Sequence, residues 1–591
     1  MISINLEKRK VMNINQKYSR STLLLLASCF LFSTSLCGLL SSCADLEYTE
    51  ESARDEEWTY EYFENGIKNL VFDVYAQVYN NEFAANSPYF FAGATDEAQY
   101  ALETGDVNGF VNGGWSPANP YSNIWTKSYT AIADVNMYLE KIDQTDLSEW
   151  KYNGQYENWM AQMELFPYEL RFLRAYFYFE LFKAYGDVPL VTTTLTNAQA
   201  NSIHRTQADS IVKFIVDECD AVAPYLPVTY TTEVGAEIGR ATRLAAFALK
   251  ARTLLYAASP LHNPSNDKAK WAKAAEACKY ILDNASTWDL KLSSYGALWG
   301  NDAFFNPELI FGIGRGDDDN NGNVFEKANY PIGVENGSSG NCPTQSLVDQ
   351  YEYQDNGETF GQRYPNSIDL NSVDPYEGLD PRFALTVVKN GDEWPTNGAQ
   401  KKVIETFFGG FNAAPKYGAT PTSYYLRKYV DGSCVTTTDN QTRRRHTWII
   451  FRLGEFYLDY AEAVFNATGS ANDATYGMTA NEAVNVLRNR ADIQMPKFTE
   501  EGDAWVARYE RERLVELAFE NHRFWDVRRW KKGPQYFKTI QVASIDSNLK
   551  LTRSTVTREW DDKYYLFPIP QSEQRKNPNL TQNKGWENSN Q

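Results

Sequence analysis

Apolar residues recur every three to four positions along much of this chain, the spacing that puts them on one face of a helix. The pattern predicts helices at Trp125–Ile142, Gln162–Tyr185, Ala241–Ala258, Trp271–Asp283, Leu453–Asn466, Ala480–Arg490 and Tyr509–Trp530. In the second of these, Leu173, Phe177 and Leu181 form one stripe, and Leu170, Arg174, Tyr178 and Phe182 the next. A helix that is aromatic on several faces is buried on several faces. In the third, Leu244, Ala248, Ala251 and Leu255 lie beside Ala245, Ala246, Ala257 and Ala258, and small residues of this kind let helices approach closely. Strand patterns are few and irregular, so the fold class is mainly α. Paired helices joined by short turns predict tetratricopeptide-like hairpins stacked as a helical-repeat scaffold. Between the early helices and Leu453 runs a long stretch, Ser293 to Thr447, rich in Gly, Asn, Asp, Pro and Tyr. Loops of that length inside a globular protein are usually functional.

The N-terminus has a different pattern. Lys8, Arg9, Lys10, Lys17 and Arg20 precede an apolar run from Leu23 to Leu40 that ends Leu40-Ser41-Ser42-Cys43. This is the lipobox form of an export signal, predicting a signal peptide over 1–42 and lipidation of Cys43. A transmembrane helix is the alternative, but five Ser and Thr residues dilute the run and a Cys closes it. Residues 43–57 form an acidic tether, 58–290 an N-terminal helical region and 291–591 a C-terminal region with the long loops.

The formal charge is −19 over 591 residues, and loss of the signal would leave the chain more acidic still. That argues against nucleic acid as a partner, because a phosphate backbone is bound through clustered Lys and Arg. Cys219, Cys278, Cys342 and Cys434 have no C-x-x-C spacing and no neighbouring His that would suggest zinc, and no disulfide can be assigned among them. Cys219 and Cys278 fall inside helical patterns as small buried hydrophobes. No H-E-x-x-H, G-x-S-x-G or phosphate-binding loop occurs, and no cofactor is implied. Asp317, Asp319 and Asn321, followed by Gly322, match the start of a calcium-binding loop, yet Ala328 stands where a bidentate Glu is needed. The run reads as a polar loop.

Several segments together resemble the SusD/RagB family. They are Glu169 to Val191; Gly239 to Arg243 with Ala248 to Arg252 and Tyr256 to Leu261; Asn306 to Phe311; Asp380-Pro-Arg382; Arg452 to Phe456 with Tyr460 to Ala463; Glu512 to Trp530; and Phe567-Pro-Ile-Pro570. The resemblance implies a surface-exposed lipoprotein of the outer membrane that binds oligosaccharides and passes them to a SusC-like TonB-dependent transporter. Capture of peptides is the rival within that family, and a surface glycoside hydrolase the rival from another class. No pair of carboxylates stands out for hydrolysis.

Glycan capture needs flat aromatic faces for sugar CH surfaces, flanked by polar groups for the hydroxyls. Two loop regions offer both. One holds Asp96, Trp115 and Tyr121, the other Trp299, Arg315, Tyr330 and Asn341, and these seven are the expected ligand contacts. Trp125 and Trp271 lie on helices and are expected in the core. Arg523, Asp526, Arg528 and Arg529 are expected as ion pairs and carbonyl caps on a helix surface, and Glu512, Glu516 and Glu520 as a solvated or scaffold-bridging ridge.

Overall fold

The computed structural model describes residues 62–79, 90–142, 144–230, 239–300, 303–315, 324–394, 402–437, 441–442 and 444–587. Cys43, the signal and tether segments, and Asp317, Asp319 and Asn321 lie outside the described residues.

The main helices are α1 (Lys68–Tyr79), α2 (Ile124–Ile142), α3 (Tyr156–Tyr185), α4 (Ala208–Val222), α5 (Arg243–Ala258), α6 (Lys268–Asn284), α7 (Leu453–Thr468), α8 (Ala480–Arg488), α9 (Gly502–Glu516), α10 (His522–Arg529) and the short α11 (Gln571–Lys576). From α1 to α8 each helix packs against the next, the tetratricopeptide-like stacking that the periodicity implied. α4, the helix in which Cys219 was expected, buries Ile211, Ile215, Cys219 and Val222 along one face. The alanines of α5 are fully buried and let α4 and α6 close on it from two sides. Trp125 and Trp271 are core residues as expected. α3 ends where Gly186 takes φ 72°, a conformation that few other residues adopt without strain, and Pro189 follows.

Six strands matter for the loops: β1 (Ala98–Tyr100), β2 (Leu309–Arg315), β3 (Asn341–Pro343), β4 (His446–Arg452), β5 (Thr539–Ile545) and β6 (Lys550–Thr557). β2 pairs antiparallel with β4, β5 with β6, and β1 with β3 in the register Ala98↔Pro343 and Tyr100↔Asn341. The long stretch before Leu453 is therefore ordered around short strand pairs. It also has its own small core of Tyr330, Trp394, Tyr425, Cys342 and Cys434.

The expected helix Tyr509–Trp530 is two helices, broken at Leu517–Asn521, where Phe519 and Asn521 have φ of 61° and 62°. Of the two readings of Glu512, Glu516 and Glu520, the solvated ridge fails and the scaffold-bridging one holds: all three are buried among cations. Glu516 accepts from Arg382, Arg452 and Arg490 at 2.9, 2.9 and 2.8 Å. Glu512 pairs with Arg382 at 2.6 Å and also with Arg488, while Glu520 pairs with Arg452 at 2.8 Å and Lys428 at 2.7 Å. Glu308 joins Arg452 to Arg490. Burial alone would raise the Glu512 carboxyl, but the guanidinium groups of Arg382 and Arg488 outweigh it and hold it down to about 2. Glu516 and Glu520 are lowered in the same way by their own cations.

The residues expected on the surface of α10 are also inside. Asp526 bridges Arg513 and Arg529 at 2.7 and 2.8 Å, and Arg529 also pairs with Glu462. Arg528, buried with no carboxylate partner among the described residues, lies 3.4 Å from the Phe524 ring centre and donates to the carbonyls of Phe524 and Tyr564. A surface assignment fails here because neighbours distant in sequence supply the missing counter-charges and cover.

Replacing Glu516 with Ala leaves three buried guanidinium groups short of an acceptor and should cost about 3–5 kcal/mol in urea unfolding. Because the folded-state carboxyls of Glu512, Glu516 and Glu520 lie below their unfolded value of 4.5, their contribution is complete above that pH. Unfolding midpoints should fall as the pH drops from 4.5 through about 2, the value for Glu512.

Candidate functional site

The two loop regions singled out in the sequence do meet, through the β1–β3 pairing, and the N–H of Ala101 donates to Gly340 at 2.9 Å just beyond it. Most of the expected ligand residues, however, hold this junction together from within. Asp96 is buried and accepts from Nε and Nη2 of Arg523, at 2.8 and 2.7 Å. Asn341 is fully buried, donating to Asn329 at 2.9 Å and accepting from the Phe90 N–H at 3.2 Å. Tyr330 is equally buried, with its hydroxyl donating to the carbonyls of Asp431 and Cys434 and its ring edge-on to Trp394 at 5.2 Å. None of the three presents a face to a ligand in this structure.

Trp115 is the plainest correction. Its indole is 2% exposed, stacked on Tyr564 at 5.4 Å and edge-on to Phe110, Phe567 and Trp586, and its N–H donates to Pro120 at 3.0 Å. The preceding glycines mark a tight turn rather than an exposed platform. Tyr121 is half-buried with φ 52°, and its ring occupies the space that a Cβ at Gly109 would need. Trp299 is half-buried too, with Tyr295 edge-on at 4.8 Å and the buried Lys428 ammonium 4.7 Å from its ring centre. Arg315 ends β2 opposite His446, and its side chain lies outside the described residues.

The aromatic side chains that do reach solvent at the junction lie on a loop the sequence reading passed over, 402–418. Phe408, Phe411 and Tyr417 are 58%, 49% and 84% exposed. Hydrogen bonds from the backbone hold the loop: Phe408 N–H to Ile545 at 2.8 Å, Gly409 N–H to Ala414 at 2.8 Å and Phe411 N–H to the Glu405 carboxylate at 2.8 Å. The Asn412 amide donates to Ile332 at 2.7 Å, and the Tyr425 hydroxyl donates to the Asn412 carbonyl. Phe411 packs over Gly333, where φ is 83° and an added Cβ would sit 3.0 Å from the ring. Lys416 places its ammonium 3.8 Å from the Phe411 ring centre, and Gly418 borders Leu102. The signal was present in the sequence: Phe407-Phe408-Gly409-Gly410-Phe411 sets aromatics among glycines as Asn112 to Trp115 does. Periodicity cannot tell which of two such turns points outward.

Next to Asp96, Glu97 is buried and accepts from the Phe519 N–H at 3.0 Å. Burial, reinforced by Asp96, pushes its carboxyl up to about 8. The four cysteines are buried free thiols. Burial pushes those of Cys342 and Cys434 up to about 12, far from the reactive thiolate range. Among the described residues no group of His, Cys, Asp and Glu is placed to hold a metal, and no helix is long and apolar enough to cross a membrane.

The scaffold, its inserted loops and the exposed aromatic rim define the class of protein: a helical-repeat frame that carries a loop-built surface. The comparisons narrow it. Residues 307–586 match the family model described as the SusD family, and residues 46–255 one described as starch-binding, associating with the outer membrane. The chain belongs to the SusD family. A SusD-like protein of Formosa agariphila is 23% identical over 426 residues, 69% of this chain and 70% of its own. The crystal structure of a SusD-like protein from Bacteroides fragilis superposes with a TM-score of 0.73 at 26% identity, covering 90% of this chain and 98% of that one. A laminarin-binding SusD-like protein superposes with a TM-score of 0.60 at 20% identity, covering 90% and 100%.

Two outcomes follow. Trp115→Ala should destabilise the fold by about 3–5 kcal/mol in denaturant, the cost of emptying a packed aromatic site. Since Glu97 binds its proton more tightly folded than unfolded, its contribution is complete below pH 4.5 and is lost as pH rises toward 8. Stability measured against pH should be flatter for Glu97→Gln than for the parent over that window.

Proposed function

We propose that this protein captures an oligosaccharide on the rim formed by Leu102, Gly333 and the 402–418 loop, and delivers it to a SusC-like TonB-dependent transporter. On this reading Cys43 carries the lipid anchor, the chain faces outward from the outer membrane, and 58–290 supplies the scaffold for the loops of 291–591. The observation that carries it is the exposure of Phe408, Phe411 and Tyr417 together on one hydrogen-bonded loop beside the β1–β3 junction.

Aromatic rings held in place before a ligand arrives lose little entropy on binding, and they cover the CH face of a sugar ring better than water does. Lys416, Lys402 and Glu405 stand beside them to meet hydroxyl groups. A laminarin-binding relative with the same fold supports the ligand class. The proposed role is binding without turnover, and laminarin oligosaccharides are the first ligands to try.

Calorimetric titration with the ligand identified on a glycan array tests the site. Tyr417→Ala and Phe411→Ala should each weaken binding about tenfold, ~1.4 kcal/mol, while the melting temperature stays at the parent value. Parent-like affinity in both variants would remove the site from this loop.

A further inference from the structure

A second concavity lies elsewhere, between α2, residues 189–203 and α11. It is a groove of about 610 Å³, within the size range of small-ligand and peptide sites. Thr126, Thr130, Ala133 and Met137 face it from α2, at spacings that share one helix face. α2 packs on α1 and α3, burying Ala131 and Val135 deeply, while the buried Trp125 and Ile132 also border the groove.

The opposite wall is the extended segment that follows α3. Tyr129 donates its hydroxyl to Pro189 at 2.8 Å, and the Asn136 amide donates to Val191 and Thr193 at 3.2 Å each, so the wall is pinned to α2 from behind. Along it the Thr194 N–H donates to Glu140 at 2.8 Å and the carbonyls of Val191, Thr192 and Thr193 accept from side chains of α2 and α3, while the N–H groups of Thr193 and Leu195, two residues apart, make no hydrogen bond within the described residues. Two such donors can meet carbonyls of a peptide laid along the wall. Val191, Leu195, Ile203 and Leu580 give the groove an aliphatic lining, with few aromatic faces of the kind a sugar would need.

Its charge is one-sided. Lys576 is neutralised by Glu573 at 2.8 Å. Asp134 lines the groove half-buried, with no hydrogen bond or ion pair among the described residues. Burial, with Asp73 nearby as a second cause, raises its carboxyl above the ordinary value. A cation at the rim would relieve both.

We propose that this groove is a docking site for an extended peptide segment of a partner protein, one that alternates aliphatic and basic side chains. The aliphatic side chains fill the floor, carbonyls of the peptide accept from the Thr193 and Leu195 N–H groups, and a basic side chain meets Asp134. The site shares no residue with the 402–418 rim and does not depend on the glycan reading.

The probe is a fluorescein-labelled octapeptide of alternating Val and Lys, with the same peptide carrying Glu for Lys as its counterpart, followed by anisotropy on the full chain. Saturable binding of the Lys peptide is expected. It should weaken about tenfold in Asp134→Asn, the loss of one partly desolvated charge contact, and at least as much in Ala133→Trp, which fills the groove. Melting temperatures check both folds, and if Ala133→Trp is destabilised, Asp134→Asn decides. The proposal is overturned if the Lys peptide does not bind, if the Glu peptide binds equally, or if both folded variants bind like the parent. Displacement of the peptide by laminarin oligosaccharide would also overturn it, making sugar the occupant. None of these results bears on the Tyr417 and Phe411 affinities, so the two readings fail separately.

Discussion

Buried charge is the constraint around which this molecule is organised. A guanidinium removed from water is tolerable only where carboxylates and carbonyls meet its donors. Here Arg382, Arg452, Arg488 and Arg490 are all inside, and Glu308, Glu352, Glu512, Glu516 and Glu520 are inside with them. Each pair joins parts of the chain that are far apart in sequence: Arg382 before the last helices, Glu308 at the start of β2, Arg452 at the mouth of α7. The lattice thus fixes where the loop region sits on the repeat scaffold.

The lattice also explains why short, scattered motifs suffice for recognition. The Glu of Asn306-Pro-Glu308, both charges of Asp380-Pro-Arg382, the Arg that opens Arg452 to Phe456 and the glutamates of α9 are its members. In the sequence each looks like an ordinary polar residue at a helix or strand end. In the fold they are one connected body.

Much of the scaffold was legible because helical periodicity reports burial directly. α2, α3, α5, α6, α7 and α8 lie close to where the apolar spacing put them. What periodicity could not report was the direction of isolated side chains in loops. Trp115 and Tyr417 both sit near glycines in polar stretches, yet one packs against Phe567 and Trp586 while the other stands in solvent. The difference is made by the C-terminal segment, hundreds of residues away from Trp115, which no local pattern reveals. The charged residues of α9 and α10 were misplaced for a related reason: a charge within helical spacing of an opposite charge looks satisfied at the surface, and only the fold shows the further partners, distant in sequence, that bury it.

The aromatic loop has one further property. It is held by its own backbone amides and carbonyls, by Glu405 and Asn412, and by Tyr425 beneath it; the rings of Phe408 and Tyr417 supply none of those hydrogen bonds. Shape and chemistry are therefore separable at this rim. Other side chains could be written into positions 408 and 417 without redrawing the curve of the main chain, which makes the loop a natural starting point for a library of altered specificities on an unchanged frame.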